Sequence, residues 1–215
     1  MIYTIDLIDE VTVKSILEFY KFCSFSDGSV SGSSDKKIKY NEELDDKIHL
    51  DSLTEYTDKA FKRCEQFSYM FTPRATTLPK FLRYTKGMHY DYHNDFYLIN
   101  QVRTDWSCTC FLSSPDDYEG GELVLNVGNK EVEYKLNPGQ VLVYPTGIYH
   151  KVNKVLSGER DVIVFWMESV IQDSRIRNIL ADYSQLMMNR KNEICDYHSD
   201  FERIRYQIIR EYGQL

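Results

Sequence analysis

The chain has 215 residues, 42% hydrophobic and 14% aromatic, with 17 Tyr and 11 Phe; such a composition belongs to a packed core, not to a disordered segment. Its 26 basic and 33 acidic side chains leave a formal charge of -7, which disfavours generic binding to a phosphate backbone. No apolar run approaches the ~20 residues needed to cross a bilayer.

The N-terminus, MIYTIDLIDE, carries acids early and no basic segment, so it does not read as a signal peptide. The next stretch, VTVKSILEFYKF (11–22), places Val13, Ile16, Leu17 and Tyr20 on one helical face. FSDGSVSGSSDKK (25–37) is rich in Gly, Ser and Asp and reads as a loop. Ser52 and Glu55 have the spacing of a capping box. Behind them Leu53, Tyr56, Ala60, Phe61, Cys64 and Phe67 keep helical spacing, which predicts one amphipathic helix over 52–70. The segment 1–78 is therefore expected to be helical.

From about residue 79 the period shortens. LPKFLRY, WSCTCFLSS, GELVLNV, KEVEYKL, GQVLVYP and ERDVIVFWMES are short runs rich in β-branched and aromatic residues, separated by turn residues. Gly128 and Asn129 between two such runs signal a hairpin. Glu131 and Glu133 alternate with Val132, Tyr134 and Leu136, which predicts one buried face. The expectation for 79–168 is a sandwich or jelly roll. Helix returns over 169–215. There Ile176, Ile179, Leu180, Tyr183, Leu186 and Met187 form a stripe, Ser199 and Glu202 suggest a second capping box, and Ile204, Ile208 and Tyr212 follow. The stripes read as core packing. With no repeat or obvious linker, 1–215 is expected to be a single domain: mostly β with flanking helices, an α+β arrangement.

The five Cys, at 23, 64, 108, 110 and 195, form no CxxC and read as reduced thiols in a cytoplasmic protein, with Cys108 and Cys110 in a core strand. The five His are more informative. Four are followed two residues later by Asp: His49 and Asp51, His89 and Asp91, His93 and Asp95, His198 and Asp200; only His150 is not. Two residues of a strand at that spacing share a face. With a second His they can form a two-His, one-carboxylate triad that holds Fe(II) and leaves positions open. The first and last pairs abut helix starts, where an Asp supports the N-terminus. The residues alone thus leave His89/Asp91 and His93/Asp95, each with His150 downstream. Arg160 lies ten residues beyond His150. Near a metal its planar fork would suit a dicarboxylate; on spacing alone it reads as a surface Arg after the turn at Ser157 and Gly158.

Other motifs are weaker. Gly120 and Gly121 precede a strand, not a helix, so they form no phosphate loop. Ser107, Ser113 and Ser114 lie outside any nucleophile elbow. Trp106 and Trp166 read as core, Trp106 being the one that could line a substrate cleft. Asn94 and Arg103 read as loop or surface residues, and 91–104 as a lid over the site.

YTKGMHYDYHND (84–95) resembles the Y-x-x-G-x-x-Y-x-x-H-x-D segment of prolyl 4-hydroxylase-like 2-oxoglutarate/Fe(II) dioxygenases. The segments 103–125 and 136–152, and the spacing from His150 to Arg160, resemble the PKHD-type hydroxylase branch. So do FSDGSVSG with NEEL upstream and 169–183 downstream; the resemblance runs from about residue 25 to 185. It implies a double-stranded β-helix (jelly-roll) core, with Fe(II) held by His93, Asp95 and His150 rather than by His89 and Asp91. It also implies 2-oxoglutarate as cosubstrate, anchored by Arg160 with Tyr84 as a second contact, and O2 at the remaining position. The activity implied is hydroxylation of a substrate coupled to conversion of 2-oxoglutarate to succinate and CO2. A prolyl residue of a protein is the first candidate, a small molecule the other. L-ascorbate, which keeps iron reduced in many relatives, is an expected auxiliary. Two other classes compete: a jelly-roll binding module without turnover, and a cupin-like metalloenzyme of different chemistry. The complete triad followed by Arg160 weighs against both.

Overall fold

In the computed structural model, which describes residues 1–32, 35–46, 49–193 and 195–214, the first strand comes earlier than the sequence suggests. β1 (Tyr3–Asp6) precedes α1 (Glu10–Tyr20), which Asp9 caps by accepting from the Thr12 amide at 2.7 Å. As expected, Val13, Ile16 and Tyr20 of α1 are buried. β2 (Phe25–Asp27), a 3-10 turn, β3 (Lys39–Tyr40) and β4 (Glu42–Leu44) follow. The stretch expected to be a loop therefore begins with a strand, while Ser33 and Ser34 in it lie outside the described residues.

The helix expected over 52–70 is two: α2 (Leu50–Arg63) and α3 (Glu65–Phe71), broken where Cys64 takes ψ 89. The break lets α3 bury Phe67, Met70 and Phe71, whereas Tyr56 of the expected stripe is exposed. Neither expected capping box forms. α2 begins before Ser52, and α5 begins at His198, each without a side-chain cap bond.

The remaining strands are β5 (Pro73–Thr76), β6 (Lys80–Tyr84), β7 (His89–His93), β8 (Leu98–Ile99), β9 (Val102–Arg103), β10 (Trp106–Phe111), β11 (Tyr118–Gly120), β12 (Leu123–Val127), β13 (Lys130–Tyr134), β14 (Gln140–Pro145), β15 (His150–Val152), β16 (Val155–Gly158) and β17 (Arg160–Ser169). α4 (Ser174–Asn189) and α5 (His198–Tyr212) close the chain. The larger sheet has the order β1-β14-β10-β17-β6-β4-β2, with β5 paired to β17. The smaller has the order β13-β12-β15-β7-β3. All these pairs are antiparallel, and the fold is the expected jelly roll. Five strands nevertheless come from the described residues of 1–78, so the helical reading of that segment was too simple. Short strands such as Tyr3–Asp6 draw their stability from the sheet they join, not from their own pattern.

Two apolar layers result. One, between the larger sheet and the helices, contains Ile16, Leu53, Phe67, Phe71, Trp106, Cys108, Cys110 and Phe165. The other, between the sheets, contains Leu82, Phe111, Leu125, Leu142 and Val162. Strand alternation assigns the sides: Cys108, Cys110, Ile163 and Phe165 face the helices, while Phe111 and Val162 face the second sheet.

Gly128 and Asn129 both adopt positive φ, 58° and 66°, and turn β12 into β13 as the hairpin signal predicted. β13 departs from its predicted buried face, since Val132 on this edge strand is exposed. α4 also departs from its stripe. It buries Arg177, Leu180, Ala181, Ser184 and Met187, and leaves Ile179 and Leu186 exposed. Arg177 rotates the helix because its guanidinium reaches the Ile171 carbonyl at 2.9 Å and Asp105 at 3.1 Å. In α5 only Arg205 is buried, so Ile204 and Tyr212 are not core as expected.

Candidate active site

β7 and β15 are neighbours in the smaller sheet, and their register sets His93 opposite His150. The register slips between the pairs His150–His93 and Val152–Tyr90, where Lys151 on β15 faces two residues, Asp91 and Tyr92, on β7. Such a bulge reverses the alternation of a strand. It turns Tyr90 and His93 to the same side, where their rings stack at 3.6 Å. His89 is turned elsewhere, with its Nε2 3.1 Å from the Lys37 carbonyl, and Asp91 is exposed.

His93, Asp95 and His150 offer ligand atoms that all lie within 4.8 Å of one another. His93 Nδ1 is 2.8 Å from the Asp91 carbonyl, and His150 Nδ1 is 2.8 Å from that of Ile148. A carbonyl only accepts, so each Nδ1 carries the proton and each Nε2 presents its lone pair to the shared point. His93 Nε2 lies 3.6 Å from one Asp95 oxygen and His150 Nε2 3.8 Å from the other.

Asp95 is held from behind. Trp166 Nε1 donates to its Oδ2 at 2.8 Å and the Ser107 hydroxyl donates to the same atom at 2.7 Å. Burial works to raise the Asp95 pKa. The His93 contact, the His150 charge and the Trp166 and Ser107 hydrogen bonds outweigh burial and bring it down to about 2. Burial lowers the His150 pKa, opposed by the Asp95 charge. A carboxylate and two neutral imidazoles are the protonation states that bind a cation. The donor set, nitrogen and hard oxygen without thiolate, suits Fe(II).

The cluster opens on a cavity of about 620 Å³ that runs between the sheets to Arg160, Tyr84 and Tyr144. Arg160 is 1% exposed, which overturns its reading as a surface residue. Its Nε and Nη1 have no hydrogen-bond partner among the described residues. Its guanidinium lies 5.0 Å from the Tyr84 ring, its register partner on β6, and 5.4 Å from Phe111. A buried unpaired cation is costly, and the open cavity admits a carboxylate that would offset that cost. Gly121 allows this packing: it has φ 67°, and an added Cβ would stand 3.2 Å from Arg160 Cδ. The buried Tyr84 phenol is pushed up to about 12, chiefly by burial, and so stays a donor at neutral pH.

Of the two tryptophans expected in the core, it is Trp166, not Trp106, that reaches the cavity. Trp106 is core, 5.3 Å from Phe71, whereas Trp166 lines the cavity and holds Asp95. A signal for this was present. Arg160, Val162, Val164 and Trp166 are spaced by two along β17 and all line the cavity. Ser107 carried no comparable signal. Asn94 donates to the Gly147 carbonyl at 3.0 Å, and Arg103 is paired with Asp105 at 2.9 Å. The expected lid contains the β8–β9 hairpin. Phe96 and Tyr97 ahead of it are 67% and 83% exposed, Phe96 on the cavity rim. His49 pairs with Asp46 at 2.8 Å rather than with Asp51. Together with Cys23 they form a second group of potential ligands, away from the cavity. Among the described residues, no helix is long and apolar enough to cross a membrane.

The sequence profile of the 2OG-Fe(II) oxygenase superfamily matches residues 79–168, the span from β6 through nearly all of β17. A PKHD-type hydroxylase of Sphingopyxis alaskensis is 32% identical, over 98% of this chain and 98% of its own. One from Crocosphaera subtropica is 37% identical over 85% of each. Among solved structures, a Pseudomonas putida prolyl-4-hydroxylase superposes with a TM-score of 0.55 at 14% identity, over 78% of this chain and 92% of its own. A Trichoplax adhaerens prolyl hydroxylase, in complex with a hypoxia inducible factor peptide fragment, gives 0.57 at 19% identity, over 77% and 82%. These structural likenesses support the fold. The full-length sequence relatives establish the lineage: the chain belongs to the PKHD-type hydroxylases of the 2OG-Fe(II) oxygenase superfamily, enzymes that depend on Fe(II) and 2-oxoglutarate.

Proposed function

We propose that the chain hydroxylates a prolyl residue of a protein substrate, with His93, Asp95 and His150 as iron ligands and Arg160 and Tyr84 as the 2-oxoglutarate clamp. The observation that carries the site assignment is the combination of a His-Asp-His cluster and a buried, unpaired Arg160 in one cavity. When bound, iron and 2-oxoglutarate supply the oxygen chemistry, yielding succinate and CO2 and leaving one oxygen atom on the substrate. The protein's contribution is positional. Trp166 and Ser107 fix the carboxylate, the Asp91 and Ile148 carbonyls fix the imidazole tautomers, and Arg160 and Tyr84 receive the far carboxylate. The apolar lining of Leu82, Leu123, Val162 and Val164 excludes water. The prolyl reading is supported by the prolyl hydroxylases among the structural neighbours. The exposed Phe96 and Tyr97 beside the rim offer a polypeptide an apolar landing surface. Ascorbate completes the proposal as the reductant that keeps the iron ferrous.

The test is anaerobic addition of Fe(II) and 2-oxoglutarate, followed by O2. A weak visible charge-transfer band and then succinate are expected in the wild type; absence of both would sink the assignment. His150→Ala should lose both and His89→Ala should keep both. Arg160→Ala should raise the 2-oxoglutarate KM far more than the iron requirement. Prolyl chemistry is read separately, as a one-oxygen mass gain on proline peptides.

A further inference from the structure

A second buried cation faces the same cavity from the opposite wall. Lys39 sits on β3, the strand beside β7, opposite Tyr90 in the register. It lines the cavity and is only 4% exposed, unusual for a lysine. Its ammonium carries three N–H donors, and among the described residues one bond is formed, to the Ser31 hydroxyl at 2.8 Å. Below it lies the Tyr90 ring, 5.4 Å away, which itself stacks on His93.

The nearby charges do not neutralise Lys39. The acids that act on it are Glu43, Asp27, which pairs with Lys36 at 2.7 Å, and Asp95; each oxygen of Glu43 already accepts a hydrogen bond. One accepts from Lys80 at 2.8 Å and the other from Ser31 at 2.5 Å. Among the described residues Lys39 forms no ion pair. Burial lowers its pKa to about 8, with Glu43 acting the other way and Lys80 adding to the decrease. A buried ammonium with, among the described residues, one neutral hydrogen-bond partner is costly. A carboxylate entering the cavity would supply the missing charge through a charge-assisted hydrogen bond.

We propose that Lys39 receives a carboxylate of the primary substrate, an Asp or Glu side chain near the residue to be hydroxylated. This deepens the hydroxylase reading and rests on it. Arg160 already serves the cosubstrate from the β17–β6 wall, whereas Lys39 stands on the β3–β7 wall beside Tyr90 and His93. A single unpaired ammonium matches a single negative charge. A phosphate group, carrying about -1.5 to -2, is better met by several guanidinium donors. Lys39 thus makes acidity near the target a condition of recognition.

The test uses full-length protein loaded with Mn(II) in place of iron, so that nothing turns over, and saturated with 2-oxoglutarate. The probes are N-acetyl-glutamate N-methylamide and its uncharged glutamine counterpart, titrated calorimetrically. The glutamate probe should bind roughly tenfold to a hundredfold more tightly, the range expected of a charged hydrogen bond. Lys39→Gln should abolish that preference, Lys39→Arg should retain much of it, and 2-oxoglutarate affinity should change less than about twofold in either. Equal binding of the probes by wild type, including no binding of either, overturns the proposal. So does a preference that survives Lys39→Gln, or a loss of 2-oxoglutarate affinity as deep as that of Arg160→Ala. Folding of each variant is verified by near-UV circular dichroism; the Arg variant carries the comparison if the Gln variant fails to fold, and loss of the preference there would count against the site.

The two readings fail separately. Acetylated proline peptides with Glu or Gln at each flanking position are incubated with Fe(II), 2-oxoglutarate and O2 and weighed by mass spectrometry. A Lys39-dependent glutamate preference with no oxidised proline removes the prolyl reading and supports the carboxylate site. Proline oxidation indifferent to Glu or Gln removes the carboxylate site and leaves the prolyl reading standing.

Discussion

Asp95 is the residue on which the most forces converge. Its carboxylate is hydrogen-bonded by Trp166 and Ser107 and flanked by two imidazoles. Replacing Trp166 by Phe keeps a ring in the wall and removes one donor. Loss of such a supporting bond should weaken metal binding about tenfold to a hundredfold, measured by Mn(II) titration. The same contacts have a consequence for acid stability. The folded Asp95 pKa is about 2, below the ordinary 3.8. Ionised Asp95 therefore stabilises the metal-free fold above the ordinary value, and that stabilisation is lost as pH falls from there through the folded value. Asp95→Asn should flatten the low-pH limb of a urea-unfolding profile; an unchanged slope would show that the carboxylate is not held this way.

At the scale of elements, β17 joins the two layers. Phe165 points to the helices and stacks on Phe61 at 4.7 Å, with Phe67 at 6.0 Å. Arg160, Val162, Val164 and Trp166 point to the cavity. Phe165→Ala should cost about 3–5 kcal/mol of stability, read by chemical denaturation. Because Phe165 faces away from the cavity, 2-oxoglutarate affinity of the folded fraction should be retained. β7 shows the limit of pattern reading. In an unbroken strand His89, Asp91 and His93 would share a face. The bulge breaks that equivalence and selects His93, and its location depends on how β7 pairs with β15.

For the whole molecule, the larger sheet of the jelly roll stands between helices on one side and the smaller sheet on the other, while α5 buries only Arg205. Arg205 anchors it by donating to the Tyr69 carbonyl at 2.6 Å and packing on the Tyr69 ring at 4.0 Å, and Tyr69 bonds Glu202. Arg205→Ala should cost about 1.5–3 kcal/mol, the range for a hydrogen bond to a charged group. Site chemistry should be untouched, since no α5 residue lines the cavity. A matching fall in succinate formation by the folded protein would show α5 coupled to the site.

The amino-acid sequence by itself determined a β core over 79–168, because strand alternation and turn residues are local signals that survive in almost any context; the family resemblance then favoured a jelly roll over a plain sandwich. The motif from Tyr84 to Asp95, with His150 and Arg160 following, likewise made legible, through the family resemblance, the residues that meet in one cavity. Tertiary structure decided the rest, for reasons that are not local. Strands such as Tyr3–Asp6 and Lys39–Tyr40 are too short to declare themselves and exist because a sheet edge receives them. Arg177 turned α4 away from its most apolar stripe because its charge had a buried partner in Asp105. Lys39 looks like any surface lysine in the sequence. Only the pairing of β3 with β7 places Lys39 in the wall of the cavity that His93, Asp95 and His150 share.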